Sequence, residues 1–373
     1  MPKVKIRFLM NTLKGGGAEK VLINLLKRMD PETYDTSLIV ISGGGFTSEI
    51  PEYIHYHELV KCKLHSVNAF FAKIVYKMPK LLFIKFFLKG INDIEIAYLQ
   101  GFPTRAIASK PCTTEKTIAF IHSDFSARYS VEALYKSKNE CLMEYRSFTK
   151  VCFVSQKAKF GFEQTIGRLD NALVVHNVVD KERILKSSLE DSKTFYQTSG
   201  WKLISVGRLV SEKAYSRLIR IAGELEKNYE FEIWIVGEGE ERAKLERLIH
   251  SQSIHSVRLM GFQINPYPLM KMADLFICSS LLEGYSTVVT EAMALSLPVI
   301  TTECAGMDEL LGSGEYGMIV ENTDDGLKKG LVEIFSDSAL YDKLKHSALE
   351  RSKMMDENSS FLEYKHLFDE VLK

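Results

Sequence analysis

Two successive series of short apolar runs, each run parted from the next by a helix-length stretch, constrain this chain more than any other feature. The first series is VKIRFLM, TSLIVIS, IEIAYL, KTIAFIH, VCFVS and ALVVH; the second is KLISVG, FEIWIVG, VRLMG, LFICSS, PVITT and GMIV. Most of these runs are continuously apolar, as strands are when both faces of a parallel sheet are covered by helices. Two such series predict two doubly wound α/β domains in sequence. The length of 373 residues agrees, because a single core seldom grows past about 250–300 residues. Segment 181–200 is charged, Ser-rich and without a strand, which places the boundary near residue 190. The expected units are 1–190, 191–359 and a last helix, 360–373, beyond the final strand. Ligands of open α/β sheets bind at the carboxyl ends of the strands, so the facing edges of the two domains are expected to form one cleft.

The composition removes several classes of function. Hydrophobic residues make up 46% of the chain, as in globular domains. No apolar run reaches the roughly 18 residues a membrane span needs. The start, MPKVKIRFLMNT, reads as a first buried strand, with no longer apolar core or small-residue cleavage site of a signal peptide after it. Six scattered cysteines without a C-x-x-C pair speak against zinc and a disulfide framework, and for a reducing cytosol. Residues 1–180 carry 25 Lys and Arg against 17 Asp and Glu, a net +8, which residues 181–373 mirror at −8. The basic first half is expected to face something anionic, and no nucleic-acid partner is expected. Within it, residues 61–90 hold seven lysines and no acidic residue. Pro79 divides this segment into two expected helices. Lys73, Lys77 and Lys80 recur there at helical spacing among Phe70, Phe71, Ile74 and Phe83, the composition of a helix at an anionic membrane surface. A protein of this kind is expected in the cytoplasm, peripheral to the inner face of the membrane.

The chemistry concentrates in SSLLEGYSTVVTEAMALSLPVITTECAG, residues 279–306. It reads as strand end, loop, helix and strand, with Glu283 and Glu291 on either side of Gly284-Tyr285-Ser286-Thr287. A loop of small residues entering a helix offers free backbone N–H groups and the positive end of the helix dipole to an anion. Two carboxylates beside it can accept hydrogen bonds from hydroxyls, a combination suited to a nucleotide sugar. Upstream, Arg208 and Lys213 follow the strand ending at Gly207 and stand at a helix start, as a clamp for a diphosphate would. Gly237 ends a further strand of the same series. In the first half, Gly15-Gly16-Gly17-Ala18-Glu19 follows the first strand; it is not a dinucleotide fingerprint, lacking the third Gly and an acidic end to the second strand. His122 ends the strand Ile118–Ile121, where its imidazole can meet a sugar hydroxyl. No D-x-D pair stands at a strand end; Asp93-Ile94-Glu95 is the nearest approach.

The Glu-x7-Glu pattern, with E-G-Y-S and P-V-I-T-T around it, resembles the retaining glycosyltransferases of family 4, which have the GT-B fold. The resemblance implies that Glu283 contacts the donor sugar and Glu291 the ribose. It implies that Arg208 and Lys213 form the family's G-R-L-x-x-x-K-G element, which neutralises the leaving diphosphate. Gly16 and Gly17 resemble its G-G-A-E turn, His122 its histidine near the donor sugar, and residues 262–270 its nucleobase-lining segment. Ala214 and Ser296 stand where the family commonly has Gly. A helix-opening role, which Ala fills without cost, is expected at 214, and a packing role at 296. The implied activity is transfer of a hexose-type sugar from a nucleotide diphosphate, UDP foremost, to a saccharide or lipid-linked saccharide in bacterial surface polysaccharide synthesis. In the family's mechanism the acceptor hydroxyl attacks on the face from which the phosphate departs. Neither a cofactor nor a catalytic metal is expected, Arg208, Lys213 and helix N-termini supplying the charge. The last helix crosses back to the first domain in that architecture. A sugar-nucleotide epimerase, a phosphorylase and a non-catalytic nucleotide-sugar-binding partner remain the alternatives.

Overall fold

A computed structural model of the chain describes residues 2–61, 71, 74–110, 115–128, 135–190, 200–355 and 357–373. The chain divides into two compact units, Met1–Val178 with Asn358–Lys373, and Val179–Glu357.

The first unit is built on seven parallel strands: β1 (Val4–Thr12), β2 (Tyr34–Ser42), β3 (His55–Val60), β4 (Ile94–Ala97), β5 (Lys116–Ile121), β6 (Lys150–Phe153) and β7 (Ala172–Val174). Their order is β3-β2-β1-β4-β5-β6-β7. It reverses direction between β1 and β4, and an open sheet leaves its ligand-binding crevice beyond the carboxyl ends of such a pair. Burial follows the sequence pattern, with Ile94, Ile96, Ile118 and Phe120 fully inside. β3 was not legible in the apolar pattern. Its sequence HYHELV is polar because it lies at the sheet edge, paired only with β2 and exposing His55 and His57. Asp93 and Glu95 are structural. Asp93 accepts from the Lys5 amide, and Glu95, fully buried, meets Arg7 at 3.1 Å and Lys110 at 3.0 Å.

The second unit repeats the plan with six strands: β8 (Trp201–Val206), β9 (Phe231–Val236), β10 (Val257–Gly261), β11 (Leu275–Cys278), β12 (Val299–Thr302) and β13 (Met318–Val320). Their order is β10-β9-β8-β11-β12-β13, so the reversal falls between β8 and β11. These six are the apolar runs of the second series, and β9, β11 and β12 are buried along their whole length.

Segment 181–200, where the domain boundary is expected, opens with a helix. Asp180 caps the helix Lys181–Ser187 by accepting from the Arg183 amide at 3.0 Å. Ile184 on that helix is buried in the second unit's core with Ile204 and Phe276. The division therefore falls at Val178/Val179 rather than near 190; residues 191–199 lie outside the described residues. The last helix, Glu357–Leu372, belongs to the first unit. Tyr364, Leu367, Phe368 and Val371 are buried there beside Phe8 and Phe120. The Tyr364 ring stacks on Phe120 at 5.5 Å, and its hydroxyl lies 3.3 Å from that of Tyr98.

Candidate functional site

The crevice of the second unit is shaped by the two segments that leave β8 and β11. After β8, the Gly207 amide still bonds to Val236 (2.9 Å) and the Leu209 amide to Glu238 (2.9 Å). A 3-10 turn, Ser211–Lys213, then leads into the helix Tyr215–Leu225. After β11, Ser279 donates from Oγ to the Lys213 carbonyl (2.9 Å), and the Leu281 amide donates to the Glu212 carbonyl (2.7 Å). Two adjacent strands thus end in two loops stitched together by backbone acceptors. The stitching brings Lys213 to Glu283, Nζ to Oε1 at 2.6 Å, although 70 residues separate them in sequence. Burial pushes the Lys213 ammonium down, and the Glu283 carboxylate more than offsets that, leaving it above its ordinary value. Lys213 is therefore a cation at any physiological pH, and an ammonium has three donors. One is committed to Glu283.

Ser280, which the sequence reading passed over, donates from Oγ to the same carboxylate oxygen at 2.7 Å. Its carbonyl accepts from Thr302 Oγ1 (2.6 Å) and Cys304 Sγ (3.2 Å). The signal was visible as two hydroxyl residues directly after a strand, three and four positions before the Glu. Adjacent to this network a small cavity is lined by Ser205, Lys213, Tyr215, Cys278, Ser280 and Val288.

Gly284 and Tyr285 continue the loop into the helix Thr287–Ala294, for which Ser286 is the N-cap. The Ser286 side chain does not cap the helix; its Oγ is buried and, among the described residues, has no hydrogen-bond partner. No acidic residue stands in the first turn of this helix. Glu291, one turn into the helix, is 5% exposed. Arg208 stands exposed after β8, and among the described residues no side chain holds it. Gly237 is required by the fold: at φ +149 a Cβ there would come 1.9 Å from the Gly207 carbonyl oxygen.

The expectation at Ala214 fails. It sits at φ 51, ψ 38, in the left-handed region, between the 3-10 turn and the helix. The glycine of the resembled pattern serves a positive φ here, and the Cβ of Ala carries the strain. Ser296, expected to act through packing, is likewise at φ 57.

In the first unit the Gly-rich turn after β1 is held by Glu19. Glu19 folds its carboxylate back over the turn, accepting from the Gly15 and Gly16 amides at 2.6 and 2.7 Å and from Thr12 Oγ1 at 2.5 Å. The Gly16 N–H is thus already engaged, and Gly17 begins the helix Gly17–Arg28. His122 follows β5 and packs its ring on Tyr98 and Phe120, at 5.1 and 6.1 Å. Burial pushes its pKa down to about 4, partly offset by a hydrogen bond to the Tyr98 backbone. The imidazole is therefore neutral at pH 7, and its buried Nε2 has no partner among the described residues. A neutral imidazole bonded through one nitrogen offers the other to a hydroxyl.

In the basic segment, Pro79 caps the helix Lys80–Phe87. Residues 62–70 and 72–73, with Phe70 and Lys73, lie outside the described residues. Phe83 is fully buried in the core, whereas Leu81 is 69% and Phe86 56% exposed. No helix among the described residues is long and apolar enough to cross a membrane.

Comparison with known proteins gives a consistent set of relatives. Residues 187–351 match the family model of glycosyl transferases group 1. The N-acetylgalactosamine-N,N'-diacetylbacillosaminyl-diphospho-undecaprenol 4-alpha-N-acetylgalactosaminyltransferase of Campylobacter jejuni is 27% identical, over 94% of this chain and 96% of that one. The lipopolysaccharide core biosynthesis glycosyltransferase LpsE of Rhizobium meliloti is 31% identical, over 38% of this chain and 42% of its own length. Among solved structures, Anabaena HepE in complex with UDP matches with a TM-score of 0.74 at 18% identity, covering 98% of this chain and 100% of that chain. WaaG, a glycosyltransferase involved in lipopolysaccharide biosynthesis, matches with a TM-score of 0.68 at 14% identity, covering 97% and 99%.

Proposed function

We propose that this chain, a glycosyltransferase of the GT-B fold, moves a hexose-type sugar from a UDP-linked donor to a saccharide or lipid-linked saccharide in surface polysaccharide synthesis, with retention and without a catalytic metal. The observation that carries the reading is the Lys213–Glu283 pair at the reversal between β8 and β11. It sets a fixed cation on a carboxylate that stands four residues before the helix Thr287–Ala294, whose first turn holds no acidic residue.

On this reading the leaving diphosphate meets the remaining donors of Lys213, the guanidinium of Arg208 and the N–H groups at that helix start. Charge that grows on the diphosphate as the sugar–oxygen bond breaks is met by donors that need no reorganisation. The acceptor hydroxyl attacks on the same face and passes its proton to a phosphate oxygen, so the protein needs no separate base. Glu283 accepts from sugar hydroxyls, Glu291 from the ribose, and His122 Nε2 from a further hydroxyl of the donor sugar. Gly17, Gly237, Gly284, Tyr285 and Thr287 shape the approach of the donor. A cytoplasmic, membrane-peripheral location and a lipid-linked acceptor fit the exposed Leu81 and Phe86 among the lysines of the helix Lys80–Phe87. The Campylobacter relative, whose name specifies a diphospho-undecaprenol substrate, supports the same acceptor class.

The test is to incubate the purified protein with a panel of UDP-hexoses and UDP-N-acetylhexosamines, with EDTA present, and to measure UDP release with and without lipid-linked saccharide. Release stimulated by acceptor, with the donor's anomeric configuration kept in the product by NMR, is expected. An inverted product overturns retention. Loss of activity in EDTA restored by one divalent cation overturns metal independence. An epimerised free donor replaces transfer with epimerisation.

A further inference from the structure

We propose that Ser280 is a positioning residue that presents Glu283 to the donor, which rests on the reading of Glu283 as the group that meets the donor sugar. Ser280 is 1% exposed, so its hydroxyl works from inside the fold rather than from the surface. Its hydroxyl has one proton, and a carboxylate can only accept, so that proton goes to Glu283 Oε1 at 2.7 Å. The Cys278 thiol in turn donates to Ser280 Oγ at 3.4 Å. Thiol, hydroxyl and carboxylate form one directed chain, each donor polarising the next.

The same oxygen, Oε1, also takes the Lys213 ammonium. Among the described residues every contact of the carboxylate falls on Oε1, and none on Oε2. Two close donors on this oxygen, with the Cys278 thiol more distant at 3.9 Å, fix the carboxylate plane and leave the lone pairs of Oε2 for hydroxyl groups. Lys213 alone cannot do this, because an ammonium on a four-carbon stem follows a carboxylate through a wide arc. Ser280 can, because its carbonyl is tied to Thr302 and Cys304 and its neighbours to Lys213 and Glu212. Groups that orient a functional side chain in this way typically contribute about 10–100-fold.

The experiment compares Ser280→Ala, Ser280→Thr and Glu283→Gln, using whichever UDP-sugar of the panel above supports the fastest UDP release. For S280A, kcat is expected to fall about ten- to hundredfold, the loss typical of a group misplaced by an ångström. The Kd for UDP should stay within about twofold, because UDP has no sugar for Glu283 to hold. S280T, which keeps the donor, should recover most of the rate. A merely structural role would lower kcat, UDP affinity and thermal stability together, and threonine would not rescue selectively; that pattern overturns the proposal. Wild-type kcat in S280A beside an impaired E283Q overturns the assignment of Ser280 alone. Full transfer by E283Q overturns the reading of Glu283, and the proposal with it. Should S280A not fold, Ser280→Cys keeps the volume, weakens the donor and is judged by the same outcomes.

Discussion

Ala214 holds a left-handed backbone, φ 51, that L side chains reach only against their own Cβ. The cost is roughly 1–2 kcal/mol, and glycine removes it while adding freedom to the unfolded chain. Ala214→Gly is therefore expected to raise stability by about 0.5–1 kcal/mol in denaturant titration, and Ser296→Gly by a similar amount. A loss of stability in either variant would show that the Cβ contributes packing that outweighs the strain. At the neighbouring position, Lys213→Ala leaves Glu283 largely buried without its counter-charge, whereas Arg208→Ala releases an exposed side chain. Both variants should lose about 10²–10³ in kcat. Only the first should also unfold earlier, by on the order of 1–3 kcal/mol. Equal melting temperatures would mean that the pair contributes nothing to folding. His122 supplies a third outcome. Its folded pKa, about 4, lies below the ordinary value of 6.5, so at intermediate pH the unfolded chain holds a proton that the folded chain does not. Its contribution is complete above pH 6.5 and drains away as the pH falls toward 4, amounting to about 3 kcal/mol. His122→Asn should flatten the stability curve across that window, and an unchanged slope would refute the buried neutral imidazole. These residues mark how far the site was legible. Glu283 and Lys213, candidates by spacing and charge, are the two that the fold brings together. The αL backbone at 214 and 296 was not legible, because φ leaves no trace in a side-chain pattern once Gly is replaced. Nor was the capture of the Gly15 and Gly16 amides by Glu19, since a carboxylate four positions on reads equally as a capping residue or a solvated one.

Elements were legible in proportion to their burial. Strands covered on both faces, such as Phe231–Val236, stand out as apolar runs, whereas the edge strand His55–Val60 has one partner and reads as a polar loop. The helix Lys80–Phe87 shows the same limit in reverse. Its composition suggested one amphipathic surface, but Phe83 is core, and the exposed apolar groups are Leu81, Leu82 and Phe86. Lys77, Lys85 and Lys89, within and on either side of this helix in sequence, are exposed as well. If this face meets an anionic bilayer, each lysine contributes about 1 kcal/mol, screened within a Debye length. The protein should then sediment with vesicles rich in anionic lipid and be released as salt rises. Changing Lys77, Lys85 and Lys89 to Glu should weaken partition more than about hundredfold while leaving UDP release from the donor unchanged. Lys80 is left in place because burial and the Arg105 guanidinium lower its pKa while Glu144 and Glu140 face it, so its reversal would disturb the fold. Sedimentation indifferent to salt and to the three substitutions would return this helix to a covering layer of the first sheet.

At the scale of the whole molecule, the first unit is discontinuous in sequence, its core closed by a helix made last. Tyr364, Leu367, Phe368 and Val371 fill the space beside β1 and β5, and Lys150 and Glu370 pair at 2.5 Å at its edge. His176, two residues before the division of the chain, is tied to Glu363 on that helix, its amide donating at 2.8 Å. The two segments by which the chain leaves and re-enters the first unit are therefore bound to each other. Removing a buried phenylalanine leaves a cavity and costs about 3–5 kcal/mol, so Phe368→Ala alone should lower the stability of this unit by that order. A chain ending at Glu357 loses four buried side chains at once, Tyr364, Leu367, Phe368 and Val371, a loss of the order of a domain's whole margin of about 5–15 kcal/mol. Hydrogen exchange should locate the damage. In the shortened chain, amides of β1, β4 and β5 should exchange fast, while those of β8, β9 and β11 keep their protection, because the second unit, Val179–Glu357, retains every strand and its own core. Protection retained in β1 and β5 would mean that the first unit closes its core without the helix. Equal loss in both sheets would mean that the two units fold as one cooperative block.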